Sequence, residues 1–267
     1  REMYPALQIQ AVDPDEKTLQ YAIRAKVVDQ VSLTLPDTFQ PDHLIVLAAH
    51  MKTSLAVLKQ LAPLIKGQEI MVTDIGSCKR AICSLGQELL PGQFVGGHPL
   101  AGKEFSGISH ATSLLFAGKP YALCPEGVEK DPALKPRYEQ LKAFITAGLR
   151  AKVGEIDSEN HDRYMAFVSH FPQLYAVMLT NMLYHNEPGR LLSFHGAGMD
   201  DQLRLAASPY EMWRDVFELN HDYLREVLET FSAMVAEAGT ALNTPAMAMW
   251  FERANEMHQE FHEFRLN

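Results

Sequence analysis

Cysteine is scarce in this 267-residue chain, which has only Cys78, Cys83 and Cys124. They lack the paired C-x-x-C spacing of a zinc site and are too few to staple a chain of this size, so the expectations are a reducing compartment and no metal site. Basic charge is also short. The 24 lysines and arginines stand against 33 aspartates and glutamates, a net charge of -9. A polyanion partner normally needs a basic stripe, and none is present, which excludes nucleic acid and favours small-molecule chemistry. No apolar run approaches the roughly 20 residues that cross a bilayer, and no basic stretch followed by an apolar one marks a signal peptide. A cytoplasmic protein with no membrane partner is expected. A methionine at position 1 is missing too, so the chain reads as starting inside a longer one.

What the chain does have is apolar content, 47% hydrophobic residues, enough to bury a real core. Up to about residue 155, short β-branched or apolar runs recur: "LQIQAV", "HLIVLAA", "EIMVTDIG", "QFVGG", "KPYALC" and "AKVGEI". Helical spacing lies between several of them, as in Leu55, Leu58, Leu61 and Ala62 before Pro63, and Tyr138, Leu141, Phe144 and Ile145 before Gly148. Alternating strands and helices predict an α/β, Rossmann-like, mostly parallel sheet domain over residues 1–156, with ligands at the carboxyl ends of the strands. From Ser158 the pattern turns helical. "SENHD" offers a cap and first-turn acids, Met165, Val168, Tyr175, Met178, Leu179 and Met182 continue at helical spacing, and Pro172 is expected to kink this helix. Residues 157–267 therefore read as an all-helical domain whose methionine- and aromatic-rich faces pack on the first domain or on a second copy.

Several residues at the predicted strand ends could carry chemistry. Asp13, after "LQIQAV", suits a ribose acceptor in a dinucleotide-binding fold, or a turn former before Pro14. Ser77 and the backbone of "TDIGSCK" suit a polar ligand group, or a loop and helix cap. In "VGGHPLAGKEFSG", His98 can take a proton near neutral pH, with glycines that let a ligand approach and a proline that stiffens the backbone. His161 and His170 lie nine residues apart on one helix, on different faces. Arg204, inside a helix after the glycine-rich "HGAGMDD", suits a bidentate carboxylate clamp or an ion pair with Asp200 or Asp201. His258 and His262 in "HQEFH" read as a solvated face. The glycine fingerprint that should precede Asp13 by about 20 residues is absent.

Together "VTDIGSCK", "GGHPLAGKEFSG", "LLFAGKPYALCP", "ENHDRYMAFVSHFP" and "GAGMDDQLRLAASPYEMWRDVF" resemble the prephenate dehydrogenase family, which includes arogenate and cyclohexadienyl dehydrogenases of tyrosine biosynthesis, in order and at about its spacing. The resemblance implies a Rossmann-like domain whose first β-α unit lies outside the chain, followed by a helical, homodimer-forming domain. It implies NAD-dependent oxidative decarboxylation of prephenate to 4-hydroxyphenylpyruvate. Arogenate dehydrogenation to tyrosine is the alternative, as is a truncated, non-catalytic dimerising homologue.

By that resemblance His98 is the proton acceptor and Ser77 the residue that orients it and the nicotinamide. Arg204 binds a substrate carboxylate, His161 lines the same pocket, and Glu104 belongs to a polar gate. Asp13, Pro14, Ala48, Ala49, Gly76 and Ser77 border the cofactor, and the Asp13 carboxylate would repel a 2′-phosphate, which favours NAD over NADP. The chain departs from the pattern at Gln173, where many members have a substrate-binding histidine, at Lys103, where threonine is usual, and at His50, where proline commonly follows the strand. Gln173 and Lys103 are included among the expected substrate contacts, and the neutral Gln173 leaves arogenate open.

Overall fold

The computed structural model describes residues 4–41, 43–102, 107–128 and 135–266. A two-stranded parallel sheet pairs β1 (Gln10–Val12) with β2 (Gln30–Ser32) around α1 (Glu16–Arg24). A five-stranded sheet follows in sequence order: β3 (Leu44–Leu47), β4 (Met71–Asp74), β5 (Phe94–Pro99), β6 (Pro120–Cys124) and β7 (Lys152–Glu155). Its strands run parallel except at β5–β6, which pair antiparallel with His98 opposite Ala122. The mostly parallel sheet is as the sequence predicts. β2, three residues of which two are polar, is a strand that the apolar pattern did not mark.

Two apolar layers sit on the faces of the larger sheet because successive strand residues point to opposite sides. Val72, Phe94 and Cys124 face Leu58, Leu61 and Ile65 of α2 (Met51–Ile65) and Ile82 and Cys83 of α3 (Arg80–Leu89). Their neighbours Met71, Val95, Tyr121 and Leu123 face Tyr138 and Leu141 of α4 (Lys135–Ala143) and Ile145 in the π turn that follows it. The central strand β4 is buried along its whole length. By contrast, Val12, Val31, Leu44 and Val46 on β1–β3 stay exposed.

The helical part begins with α5 (Ser158–Met165), capped by the Asp157 carboxylate on Asn160 N–H. A π turn over Ala166–His170 leads into α6 (Phe171–Tyr184) immediately before Pro172, whose missing N–H disturbs the regular ladder there. Then come α7 (Pro188–Leu191), α8 (Ala197–Ala206), α9 (Tyr210–Leu219), α10 (His221–Ala241) and α11 (Pro245–Leu266). By contacts the chain forms two compact units, residues 1–221 and 222–267, so the sequence boundary at 156/157 falls inside the first. The second unit holds the rest of α10 and all of α11, with Met234, Val235, Met249, Phe251, Met257 and Phe261 exposed. Among the described residues no helix is long and apolar enough to cross a membrane.

Candidate active site

At the carboxyl end of β4, Asp74 and Lys79 form an ion pair in which both side chains are fully buried. The pair grips one residue of the next strand from both sides. The Gly97 N–H donates to Asp74 Oδ1 at 3.1 Å, and Lys79 Nζ donates to the Gly97 carbonyl at 2.7 Å. Gly76 N–H also donates to Asp74 Oδ2, at 2.8 Å, closing the turn after β4. Gly97 precedes His98, so the clamp fixes the backbone that presents the imidazole. Gly96 and Gly97 also have a packing reason. A Cβ on Gly97 would stand 2.5 Å from the Asp74 carbonyl oxygen, and one on Gly96 would stand 2.4 Å from Cys83 Sγ.

His98 is buried, and its Nδ1 lies 2.9 Å from Nε2 of His161 on α5. His161 Nδ1 in turn lies 2.8 Å from Asp162 Oδ1. Asp162 does more than hold this ring: its Oδ1 accepts from Lys79 N–H at 2.6 Å and its Oδ2 from Arg80 N–H at 3.0 Å, so it caps α3 from another helix. Burial alone would raise the Asp162 carboxyl, but the bonds from His161 and from the Arg80 and Lys79 backbone hold it below the usual carboxylate range. An ionised carboxylate only accepts, so His161 Nδ1 donates to it. His161 Nε2 then faces His98 Nδ1, and where it accepts from His98 Nδ1–H the His98 Nε2 lone pair is left bare. Burial first, then the charge of Lys79 and the neighbouring His161 and His170, push the His98 pKa well below the ordinary histidine value. The ring therefore stands neutral at neutral pH.

A second layer braces this chain. Asn220, at the end of α9, donates through Nδ2 to the Asp162 carbonyl at 2.7 Å and to His170 Nδ1 at 3.0 Å, while its Oδ1 accepts from Arg80 Nη2 at 3.2 Å. Because Nδ2 can only donate, His170 carries its proton on Nε2. Sequence reading missed Asp74, Lys79, Asp162 and Asn220. The available signal was an acid and a lysine flanking a strand-end glycine in "TDIGSCK", and a second acid beside His161 in "NHD".

The other expected residues are placed unevenly. Ser77 is half-buried after β4, but the Nδ1 partner of His98 is His161 rather than Ser77. Arg204 is exposed on α8 with Nε 3.9 Å from Asp201 Oδ1, and the buried Gln173 donates through Nε2 to the Leu205 carbonyl at 2.9 Å. Lys103 and Glu104 lie outside the described residues. On the cofactor side, Asp13 follows β1 and its Oδ1 accepts from Asp15 N–H at 2.8 Å, so it closes a turn. Pro14 is exposed beside it, Ala48 and Ala49 are exposed after β3, and Gly76 packs under Met51, where a Cβ would meet the sulfur at 2.0 Å. The first turns of α1, α2 and α3 are each held by a carboxylate, from Asp15, Asp215 and Asp162 respectively. Asp13, Ala48, Ala49, Gly76 and Ser77 stand after the carboxyl ends of β1, β3 and β4, where a Rossmann-like fold takes a dinucleotide. Helices α1–α3 offer its diphosphate no open N-terminus.

A Rossmann-like sheet with a buried imidazole at a strand end, joined to helices that supply its hydrogen-bond partners, defines a nucleotide-dependent oxidoreductase class. The chain belongs to the prephenate dehydrogenase family. Residues 1–147 match the family's nucleotide-binding domain and residues 157–262 its dimerization domain. It is 31% identical over 238 residues to the prephenate dehydrogenase of Bacillus subtilis, covering 88% of this chain and 62% of that protein. It is 27% identical to the cyclohexadienyl dehydrogenase of Zymomonas mobilis, over 89% of this chain and 80% of the relative. The crystal structure of Aquifex aeolicus prephenate dehydrogenase with hydroxyphenyl propionate and NAD+ superposes with a TM-score of 0.85 at 26% identity, covering 98% of this chain and 91% of that one. Synechocystis arogenate dehydrogenase shares the fold, with a TM-score of 0.76 at 22% identity over 97% and 93% of the two chains.

Proposed function

We propose that this protein oxidatively decarboxylates prephenate to 4-hydroxyphenylpyruvate in tyrosine biosynthesis, using NAD. The observation that carries the reading is the buried Asp162–His161–His98 chain, in which His98 Nδ1 faces His161 Nε2. In the reaction His98 Nε2 takes the proton of the ring hydroxyl, and the resulting imidazolium is held through His161 by the Asp162 carboxylate. NAD, when bound, supplies the hydride acceptor at the carbon that bore the hydroxyl. Loss of carbon dioxide then aromatises the ring. Asp13, Pro14, Ala48, Ala49, Gly76 and Ser77 border the cofactor, and the Asp13 carboxylate favours NAD over NADP by repelling a 2′-phosphate. Arg204 binds a substrate carboxylate, with Gln173, Lys103 and Glu104 around it. The protein acts as a cytoplasmic homodimer through its helical part, a reading supported by the match to the dimerization domain and the exposed apolar residues of α11.

A second reading, arogenate as substrate, draws on Gln173. Its amide is neutral and its Nε2 is already engaged by Leu205, so it offers a dianionic substrate no positive charge.

The test is NADH formation by the full-length polypeptide, assayed in parallel with prephenate and arogenate, and with NAD and NADP. Turnover with NAD is expected, falling about 10²- to 10⁴-fold in His98→Ala, with retention of the fold checked by circular dichroism. Absence of turnover with either substrate would overturn the reading and leave a non-catalytic dimerising homologue.

A further inference from the structure

Beneath β6 lies a cluster of ligating groups that the proposed reaction does not use. Cys83 comes from α3, Cys124 is the last residue of β6, and Glu126 follows two residues later. Their two sulfurs and a carboxylate oxygen all lie within 4.8 Å of one another. Both thiols are free and buried.

Glu126 is held in place from two directions. Its Oε1 accepts from Ser158 N–H at the start of α5, and its carbonyl accepts from Gln87 Nε2 at 2.5 Å. Its Oε2 is buried and has no hydrogen-bond partner among the described residues. A carboxylate oxygen withdrawn from water with no donor is costly, and a cation is the group that would relieve it.

We propose that Cys83, Cys124 and Glu126 form a binding site for a thiophilic divalent cation of the Zn²⁺ class. Two sulfurs exclude Mg²⁺ and Ca²⁺, which take oxygen ligands, and favour a borderline-soft ion. With Zn–S near 2.3 Å and Zn–O near 2.1 Å, tetrahedral ligands stand about 3.6–3.8 Å apart, inside the span of the cluster. Three protein ligands leave a fourth position to water. Glu126 Oε1 stays on Ser158, the kind of outer contact that orients a ligating carboxylate.

Binding converts each thiol to a thiolate, so one M²⁺ enters, two S–H bonds break and two protons leave. Free cysteine in a core otherwise packs as a small hydrophobe, and that is the alternative to be tested.

The experiment titrates reduced, chelator-stripped protein with Co²⁺ and then Zn²⁺, following the thiolate-to-cobalt charge-transfer absorption. One Co²⁺ per chain with that band is expected, displaced by Zn²⁺ and abolished in Cys83→Ala/Cys124→Ala, with folding checked by circular dichroism. Glu126→Gln keeps an acceptor for Ser158 and leaves the core unaltered. It should retain the band and lose about tenfold or more in affinity. No band in the wild-type protein would overturn the site. So would a band that persists in the double variant, or Co²⁺ bound without thiolate character, as a histidine pair such as His258 and His262 would bind it.

Discussion

Around His98 the polar groups are buried and each holds another, whereas Arg204 and Asp201 are exposed. Asp74, Lys79, His98, His161 and Asp162 form one connected set at hydrogen-bonding distance. Arg204 sits on the surface of α8 with an ion pair at the outer limit of such contacts. The contrast teaches a division of labour. Proton transfer needs a fixed lone pair in a dry setting, and the first region supplies one at the cost of burying charge. In the proposed reaction carboxylate recognition falls to Arg204 on the exposed face of α8, where an ion pair adds little to stability.

The largest effect expected from breaking this contrast is at the clamp. Lys79→Met leaves Asp74 buried without its countercharge and should destabilise the fold by about 3–5 kcal/mol in urea denaturation. Replacing both, Asp74→Asn with Lys79→Met, removes both buried charges but leaves one amide oxygen to accept from only one of Gly76 and Gly97 N–H, and should recover part of that loss. A single variant losing under about 1 kcal/mol would mean that the buried pair does not hold this region.

Acid should separate the two regions next. His98 is pushed well below the ordinary histidine value of 6.5 by burial first, then by Lys79 and the neighbouring rings, and burial lowers His170 to about 4. Below pH 6.5 the unfolded chain takes up protons that the folded one refuses. Stability is therefore complete above that value and falls as pH drops, by about 2 kcal/mol for His170 at roughly pH 5, with His98 acting in the same direction. Asp162, lowered in the fold, acts in the same direction at more acid pH. Urea midpoints measured between about pH 8 and 5 check this, and a flat profile would contradict the buried neutral rings.

The smallest effect on the fold belongs to Arg204. Arg204→Ala should change stability by less than about 0.5 kcal/mol, since its ion pair is exposed. It should raise KM by roughly 10- to 100-fold through the lost carboxylate contact. A large stability loss with an unchanged KM would reverse the comparison.

Much of this was legible in the chain itself. The runs around Val72, Val95 and Ala122 marked strands because a strand buried on both faces needs continuous apolar residues, the run around Ile45 did so by its β-branched residues, and helical spacing after Ser158 marked the second half. β2 was not legible, since "QVS" buries little. His98 stood out by its glycine-rich surroundings, but the reason for those glycines did not, because their neighbours Asp74 and Cys83 come from other elements. Asp162 looked like a first-turn acid of its own helix. Its partners Lys79 and Arg80 lie 83 and 82 residues away, and nothing in "SENHD" points to them.

The sequence by itself determined the order of strands and helices, the strand-end position of His98 and the family, because periodicity and motif spacing are local properties of the chain. Only the tertiary structure decided which charges are buried and what holds them. Asp215 caps α2 across 163 residues, Asn220 meets His170 across 50, and Asp162 connects to His98 through His161. Such pairings follow from desolvation: once the core closes, each buried polar group must find a partner among whatever the fold brings beside it.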